Sequence, residues 1–261
     1  MAFTRSDYTL NANFTQTSLK DAIKTAFNAM PNHVLVQDTT SSTDLLLIYL
    51  VTLNASKVCG KSYLKIRVTN TFSVRQQLLA TWDIATKTGT LASTESSAIT
   101  FINTSPIQLI SLVKNPEYHF LALSQNSTFL LAGCLYPENR PSWWNEDAHY
   151  YIFHNDGSTT NIFKNWYTVI QSPFNISPGI YTTDWGDLRL SNVNPETNKR
   201  AAISGMSFYS SSQGDAGRTS NELISVAALG QTRFEQIVVT PGVEEYLLII
   251  PNSGAMTLRS I

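Results

Sequence analysis

The sequence predicts a mainly β fold, built as an antiparallel β-sandwich or as barrel-like sheets, with one amphipathic helix near the N-terminus. Three observations support this prediction. About ten short runs alternate apolar and polar residues with a period of two. Clusters of Gly, Pro, Asn and Ser separate these runs, as they separate the strands of sandwiches and barrels. One early segment has helical spacing instead.

The helix is predicted within residues 17–31, TSLKDAIKTAFNAMP. Ser18 is placed to cap its N-terminus together with Asp21, three residues later, and Pro31 ends it. The apolar residues of this segment follow 3–4 spacing and form one stripe, made of Leu19, Ala22, Ile23, Ala26, Phe27 and Met30. Because such a stripe has to be buried, we expect the helix to lie on a sheet.

The strands follow the helix. The run 44–53, DLLLIYLVTL, is too short to cross a membrane and predicts a buried strand. In 63–68, YLKIRV, apolar and polar residues alternate as in a half-buried strand. Further strands are predicted over 78–84, 108–113, 118–124, 128–135, 148–154, 166–170, 223–229, 235–240 and 244–250.

The last segment, AMTLRSI (255–261), has two candidate places in the fold. It is either an edge strand open to a neighbouring subunit or a strand that pairs with 244–250 through the PNSG turn. We favour pairing within its own sheet.

Two features indicate where the chain divides. The stretch CLYPENRPSWW, with Pro137 and Pro141, suggests an N-terminal helix and β region over 1–135 and a C-terminal β region over 136–261, unless the two form one continuous domain. The stretch 209–222, YSSSQGDAGRTSNE, predicts a long protruding loop. Such a loop is either a mobile surface loop or one that becomes ordered against a partner, and its candidate binding residues are Gly214, Asp215, Gly217 and Arg218.

Composition excludes several classes of function. The net charge is −1, with 18 basic and 19 acidic residues, so nucleic acid is not expected as a primary ligand. The N-terminus has no apolar signal region, and no run is long enough for a membrane span. The two cysteines form no CxxC motif, and Cys134 is predicted to be a buried, inert thiol. Low charge and many Ser, Thr and Asn residues suit lasting protein contacts.

Residues 135–157, LYPENRPSWWNEDAHYYIFHNDG, concentrate aromatic and ionisable side chains. The NDG triplet predicts a hairpin whose first arm is 148–154. The aromatic residues either offer a sugar-stacking platform or pack in a core or protein interface, and we favour packing or an interface. The candidate binding residues are Trp143, Trp144, Asn145, Glu146, Tyr150 and Tyr151.

No catalytic or metal-binding pattern emerges from the sequence. His149 and His154 point to opposite faces of an extended strand, so they cannot chelate one metal ion. Asp184 and Asp187 flank a turn, where aspartates usually accept backbone hydrogen bonds. The four histidines show no obvious partner, and the GxSxG, HExxH, GxGxxG and Walker motifs are missing. We therefore expect no enzyme activity, no cofactor and no metal.

The order of these features resembles virion proteins of tailed bacteriophages, in particular tail, neck or baseplate components. The similarity runs from the helix TSLKDAIKTAFNAM through LKIRVTN, LLATWDIATKTGT and AGCLYPENRPSWWNEDAHYYIF to EQIVVTPGVEEYLLIIPNSGAMTLRSI, and so covers most of the chain. The repeats of a long fibre and the motifs of a tail lysin are not present.

The resemblance implies a non-enzymatic structural component of a phage virion, assembled in the host cytoplasm. Such a component would form a homo-oligomer in a symmetric assembly and contact other virion structural proteins. The alternative is a receptor- or carbohydrate-binding β module that uses the aromatic run 143–151.

Overall fold

The computed structural model describes residues 3–40, 43–52, 62–92, 95–114, 117–135, 151–155, 160–164, 175–176, 195–196, 202–204, 207–210, 214–218, 220–226, 232–250 and 255–260. The chain separates into two compact units. The first contains Thr4–Tyr136 and Trp144–Asn175, and the second is formed mainly by Ile176–Ile261. The predicted division lies at 135/136. The first unit nevertheless includes Trp144–Asn175, which follow that position in the sequence.

The described residues form one helix, α1 (Gln16–Asn28), and twenty strands. The strands before residue 136 are β1 (Thr4–Leu10), β2 (His33–Asp38), β3 (Leu45–Val51), β4 (Ser62–Val68), β5 (Ser73–Asp83), β6 (Thr88–Ala92), β7 (Ile99–Thr100), β8 (Ile107–Lys114), β9 (Tyr118–Gln125) and β10 (Thr128–Leu135). The later strands are β11 (Tyr151–Asn155), β12 (Thr160–Lys164), β13 (Asn175–Ile176), β14 (Ala202–Ser204), β15 (Ser207–Ser210), β16 (Gly214–Arg218), β17 (Leu223–Val226), β18 (Gln236–Thr240), β19 (Glu244–Ile250) and β20 (Ala255–Arg259).

These strands form four antiparallel sheets. One has the order β1-β8-β9-β10-β11-β12-β13, and a second has the order β2-β3-β4-β5-β6 with β7 paired to β5. A five-stranded sheet has the order β14-β17-β20-β19-β18, and β15 pairs with β16 alone. The prediction of a mainly β fold with one helix is confirmed, and the described strands form open sheets rather than a closed barrel.

Helix α1 begins earlier than the sequence predicts. Thr15, not Ser18, is the N-cap, because its Oγ1 accepts a hydrogen bond from the Ser18 amide at 3.1 Å. Ser18 occupies the third helical position and returns the bond, since its Oγ accepts from the Thr15 amide at 2.8 Å. This reciprocal capping box satisfies two amides that the first helical turn leaves without partners.

The predicted apolar stripe of α1 is buried in the core of the first unit. Leu19, Ile23, Ala26, Phe27 and Met30 are each almost fully enclosed, and the helix packs on β1, β2, β3, β4 and β8. The same core contains the inward side chains of both large sheets, among them Leu47, Leu64, Leu109, Leu121 and Leu130. Helix and sheets therefore share one continuous core, as the amphipathic pattern requires.

Strands β8, β9 and β10 are buried on both faces. Leu121 and Leu123 face the shared core, while Phe120 and Ala122, which alternate with them, are also fully buried. Their sequences are accordingly almost continuous apolar runs rather than clean alternations. Strand β3 was predicted to be buried, and this is confirmed.

Gly133 in β10 marks a close approach of two backbones. Its φ is +147°, and a Cβ at this position would lie 2.0 Å from the carbonyl oxygen of His119. Its amide donates to Oε1 of buried Gln76 at 3.2 Å, which links β10 to β5 of the other large sheet. Glycine is therefore required here by space as well as by conformation.

In the second unit, β20 lies inside the five-stranded sheet between β17 and β19. The favoured placement of AMTLRSI is thus confirmed, since Ala255–Arg259 pair with Glu244–Ile250. A small core under this sheet contains Ile224, Ile237, Tyr246 and Leu248. No helix among the described residues is long and apolar enough to cross a membrane.

Candidate functional site

Most of the aromatic run lies outside the described residues. This applies to Trp143, Trp144, Asn145, Glu146 and Tyr150, and also to His149, Asp184, Asp187 and the predicted strand 166–170. Tyr151 begins β11, where its backbone pairs with Leu135 on one side and Lys164 on the other. The hairpin predicted from NDG is confirmed, because β11 pairs antiparallel with β12.

The predicted loop 209–222 is corrected in part. Gly214, Asp215, Gly217 and Arg218 lie in strand β16, which pairs antiparallel with β15. The register shifts between Phe208 and Tyr209, which is the signature of a β-bulge. The small and polar composition that suggested a loop is therefore that of a bulged two-stranded ribbon.

The described core of the first unit contains a buried pair of histidines, and their rings lie closer together than any other two ionisable rings there. His33 starts β2 and His119 is the second residue of β9, so each of the two large sheets supplies one ring. Their Nδ1 atoms are 3.3 Å apart and their ring centroids 5.1 Å apart. His119 is fully buried and His33 is 8% exposed. Sequence spacing indicates no partner for either histidine, and the structure corrects this expectation.

The hydrogen bonds of the pair assign its protons. His33 Nδ1 lies 3.1 Å from the carbonyl oxygen of Pro31, so it must donate there. Because His33 Nδ1 carries a hydrogen, His119 Nδ1, 3.3 Å away, can take part only as an acceptor, and a neutral His119 is then assigned the Nε2-protonated tautomer. Neither Nε2 atom has a hydrogen-bond partner among the described residues. Both rings are therefore incompletely satisfied at Nε2.

The surroundings of the pair oppose protonation. Burial lowers the pKa of His33 to about 4, against the smaller effect of its bond to Pro31. Burial, followed by the neighbouring His33, lowers the pKa of His119 to about 3. The Phe27 ring stacks on His33 with centroids 5.5 Å apart, and the Tyr49 ring lies edge-on at 6.2 Å. Burial raises the pKa of Tyr49, so no charge from this phenol offsets an imidazolium.

Cys134 is the residue directly opposite His119 in the β9–β10 ladder. It is fully buried, and burial raises the pKa of its thiol to about 12. The prediction of a buried thiol is confirmed, and the thiol stays protonated at neutral pH. No group of three or more His, Cys, Asp or Glu able to hold a metal ion occurs in the described part of the chain.

The first unit also contains a buried charge, and it is fully paired. Lys20, on α1, is 1% exposed, and its Nζ lies 2.5 Å from Oδ1 of Asp38 and 3.3 Å from Oδ1 of Asp21. Lys24 binds the other carboxylate oxygen of Asp38 at 2.6 Å. Burial lowers the pKa of Lys20, but the hydrogen bonds and charges of the two aspartates outweigh it, so the net pKa is raised. This lysine holds α1 to β2 as a permanent cation.

The second unit exposes an apolar edge. Strand β18 ends the five-stranded sheet, with β19 as its neighbour on one side. Ile237 points into the small core, whereas Val238 and Val239 are 51% and 56% exposed. The register between β18 and β19 shifts between Val238 and Thr240, so a bulge turns two consecutive valines outward. Val243, in the following turn, is 62% exposed.

The acidic side chains around β18 are bonded within the unit. Glu235 accepts from the Thr232 amide at 2.8 Å, and Glu244 accepts from the Tyr246 hydroxyl at 2.8 Å. Glu245 accepts from the Gly242 amide at 2.8 Å and also from Gln236. These contacts hold the carboxylates in place and leave the valines as the exposed apolar surface of the hairpin. The run 235–240 predicted this strand, but its alternation did not indicate the bulge.

No protein-family model matches the chain, and no curated protein matches it.

Proposed function

We propose that this chain is a non-enzymatic structural component of a bacteriophage virion, in the tail, neck or baseplate. It acts through contacts between its own copies and with other virion proteins. The resemblance across most of the sequence supports this assignment, as does a composition that is low in charge and nearly neutral overall. It assembles in the host cytoplasm and resides in the virion.

The observation that carries the proposal is the exposed β18 edge. Sheet edges present unpaired backbone amides and carbonyls, and proteins usually protect them. An edge with two adjacent outward valines is instead a surface suited to a protein partner. The reactive groups that the fold brings together give further support, because His33, His119 and Cys134 are sealed in a core that a substrate does not reach.

The experiment is immuno-electron microscopy of purified phage particles produced from the genome that encodes this chain. Antibodies against the purified chain should decorate one place on each particle, and mass spectrometry of the particles should detect the chain in a fixed ratio to the other components. A chain that is abundant in the lysate and missing from washed particles would refute the proposal.

A further inference from the structure

The contact between His33 and His119 links two sheets through buried rings. His33 starts β2, at the edge of one sheet, whereas His119 lies in β9, between β8 and β10 of the other. The Nδ1 atoms are 3.3 Å apart, and neither Nε2 atom has a hydrogen-bond partner among the described residues. Buried polar atoms without partners carry a desolvation cost, so this contact is held with little reserve.

Protonation turns the contact from attractive to repulsive. A protonated imidazole carries a hydrogen on both nitrogens, so a charged His119 no longer accepts from His33. With both rings protonated, two donors and two positive charges face each other across 3.3 Å. The rings then separate.

Uncharged residues occupy the ladder positions opposite both rings. His119 lies opposite Val113 on β8 and Cys134 on β10, and His33 lies opposite Val51 on β3. None of these side chains supplies a negative charge that would hold two imidazolium rings together.

The other ionisable groups near the pair are neutral or already paired. Burial raises the pKa of the Tyr49 phenol on β3 and of the Cys134 thiol on β10, so both stay protonated. On α1 and β2, the carboxylate of Asp38 binds both Lys20 and Lys24. This carboxylate is therefore already balanced by two cations.

The start of β2 is the part that the repulsion can move. Strand β2 is an edge strand with β3 as its neighbour, and Pro31 and Asn32 before it are exposed. Its other end is held, because Asp38 binds Lys20 and Lys24 of α1. Strand β9, in contrast, is paired on both sides.

We propose that the contact between His33 and His119 is an acid-sensitive latch, and that protonation of both rings releases the start of β2 from β9 before the rest of the first unit unfolds. The opening uncovers part of the apolar core, including the Phe27 ring that stacks on His33. This device goes beyond the proposed function and does not depend on it.

The pKa values of the two rings set the size of the effect. In the opened chain both rings regain the ordinary pKa of 6.5, whereas in the closed chain burial lowers the pKa values to about 4 and about 3. The closed state is therefore fully stabilised above pH 6.5. Between pH 7 and pH 5, the opening equilibrium should rise ~23-fold per histidine and ~500-fold for the pair.

Hydrogen exchange followed by mass spectrometry at pH 7 and pH 5, with rates corrected for the intrinsic effect of pH, measures this opening. The amides of 33–38 should lose protection ~500-fold at pH 5, at times when 118–125 in β9 remains protected. Two results would overturn the proposal. Exchange of both segments together would show that acid unfolds the unit as a whole, and unchanged protection of 33–38 would show that the pair does not respond to acid.

Two variants assign the response to the pair. His119→Leu removes one titrating ring, so the change in protection of 33–38 should shrink from ~500-fold to ~23-fold. Leu121→Val, on the same face of β9, is the matched control, because it loosens the same core without removing a titrating group. It should keep the ~500-fold change. Equal changes in the two variants would contradict the latch.

Discussion

Acid should destabilise the first unit through the pair formed by His33 and His119. Both pKa values are lowered in the folded chain, to about 4 and about 3, from 6.5 when exposed. A lowered pKa means that the unfolded chain binds protons first as the pH falls. The stability due to the neutral pair is therefore complete above pH 6.5, and it is lost progressively down to about pH 4 for His33 and about pH 3 for His119.

The expected loss is large compared with the stability of an ordinary domain. For each pH unit below 6.5, each histidine lowers the free energy of unfolding by about 1.4 kcal/mol, as long as the pH stays above its pKa in the folded chain. At pH 5, the two histidines together lower the free energy of unfolding by about 4 kcal/mol. Folded domains typically have a total free energy of unfolding of about 5–15 kcal/mol. Replacing His119 by Leu, which has a similar volume, removes about half of this pH dependence.

The assay is urea unfolding of wild type and His119→Leu at pH 7, 6 and 5, followed by circular dichroism. The difference in unfolding free energy at pH 7 measures the change in packing. The change in that difference between pH 7 and pH 5 measures titration, and it should be about 2 kcal/mol in favour of the variant. Parallel pH profiles for the two proteins would refute the conclusion that the pair is buried and neutral.

Three further substitutions test the fold by the same urea assay at pH 7. Gly133→Ala should cost more than about 2 kcal/mol, because the added Cβ meets a carbonyl oxygen. Thr15→Ala should cost about 1 kcal/mol through the lost cap, while exposed Thr17→Ala should cost much less. Asp38→Asn leaves a buried ammonium poorly paired and should cost about 3 kcal/mol, whereas Asp7→Asn, in an exposed pair, should cost under about 1 kcal/mol.

Local patterns predicted the elements of the fold well. The stripe on α1 and the alternation in β4 depend only on neighbouring residues, so the sequence contains the full signal. The cap was misplaced by three residues because Ser18 fits both the N-cap and the third helical position. The choice between them depends on Thr15, whose hydroxyl is equally suited to cap.

The histidine pair depends on tertiary structure and was not predictable from spacing alone. His33 and His119 are 86 residues apart and meet only because two different sheets share one core. One partial signal exists, since His119 alternates in phase with Leu121 and Leu123 and therefore shares their buried face. No comparable local signal marks His33, which starts a strand without a clear alternation of buried and exposed residues.

The exposed edge depends on sheet order and on a bulge. The run 235–240 predicted a strand, but sequence does not tell whether a strand lies at the centre or at the edge of a sheet. The same uncertainty applied to AMTLRSI, which was considered as an edge and proves to be an interior strand. The open edge belongs instead to β18, where a one-residue shift turns Val239 outward beside Val238.

The most direct test of assembly is the molar mass of the purified chain, measured by light scattering over a range of concentrations. The protomer mass is 29.0 kDa. The proposed function predicts a defined multiple of this mass that persists on dilution. A single species of protomer mass at every concentration would contradict it.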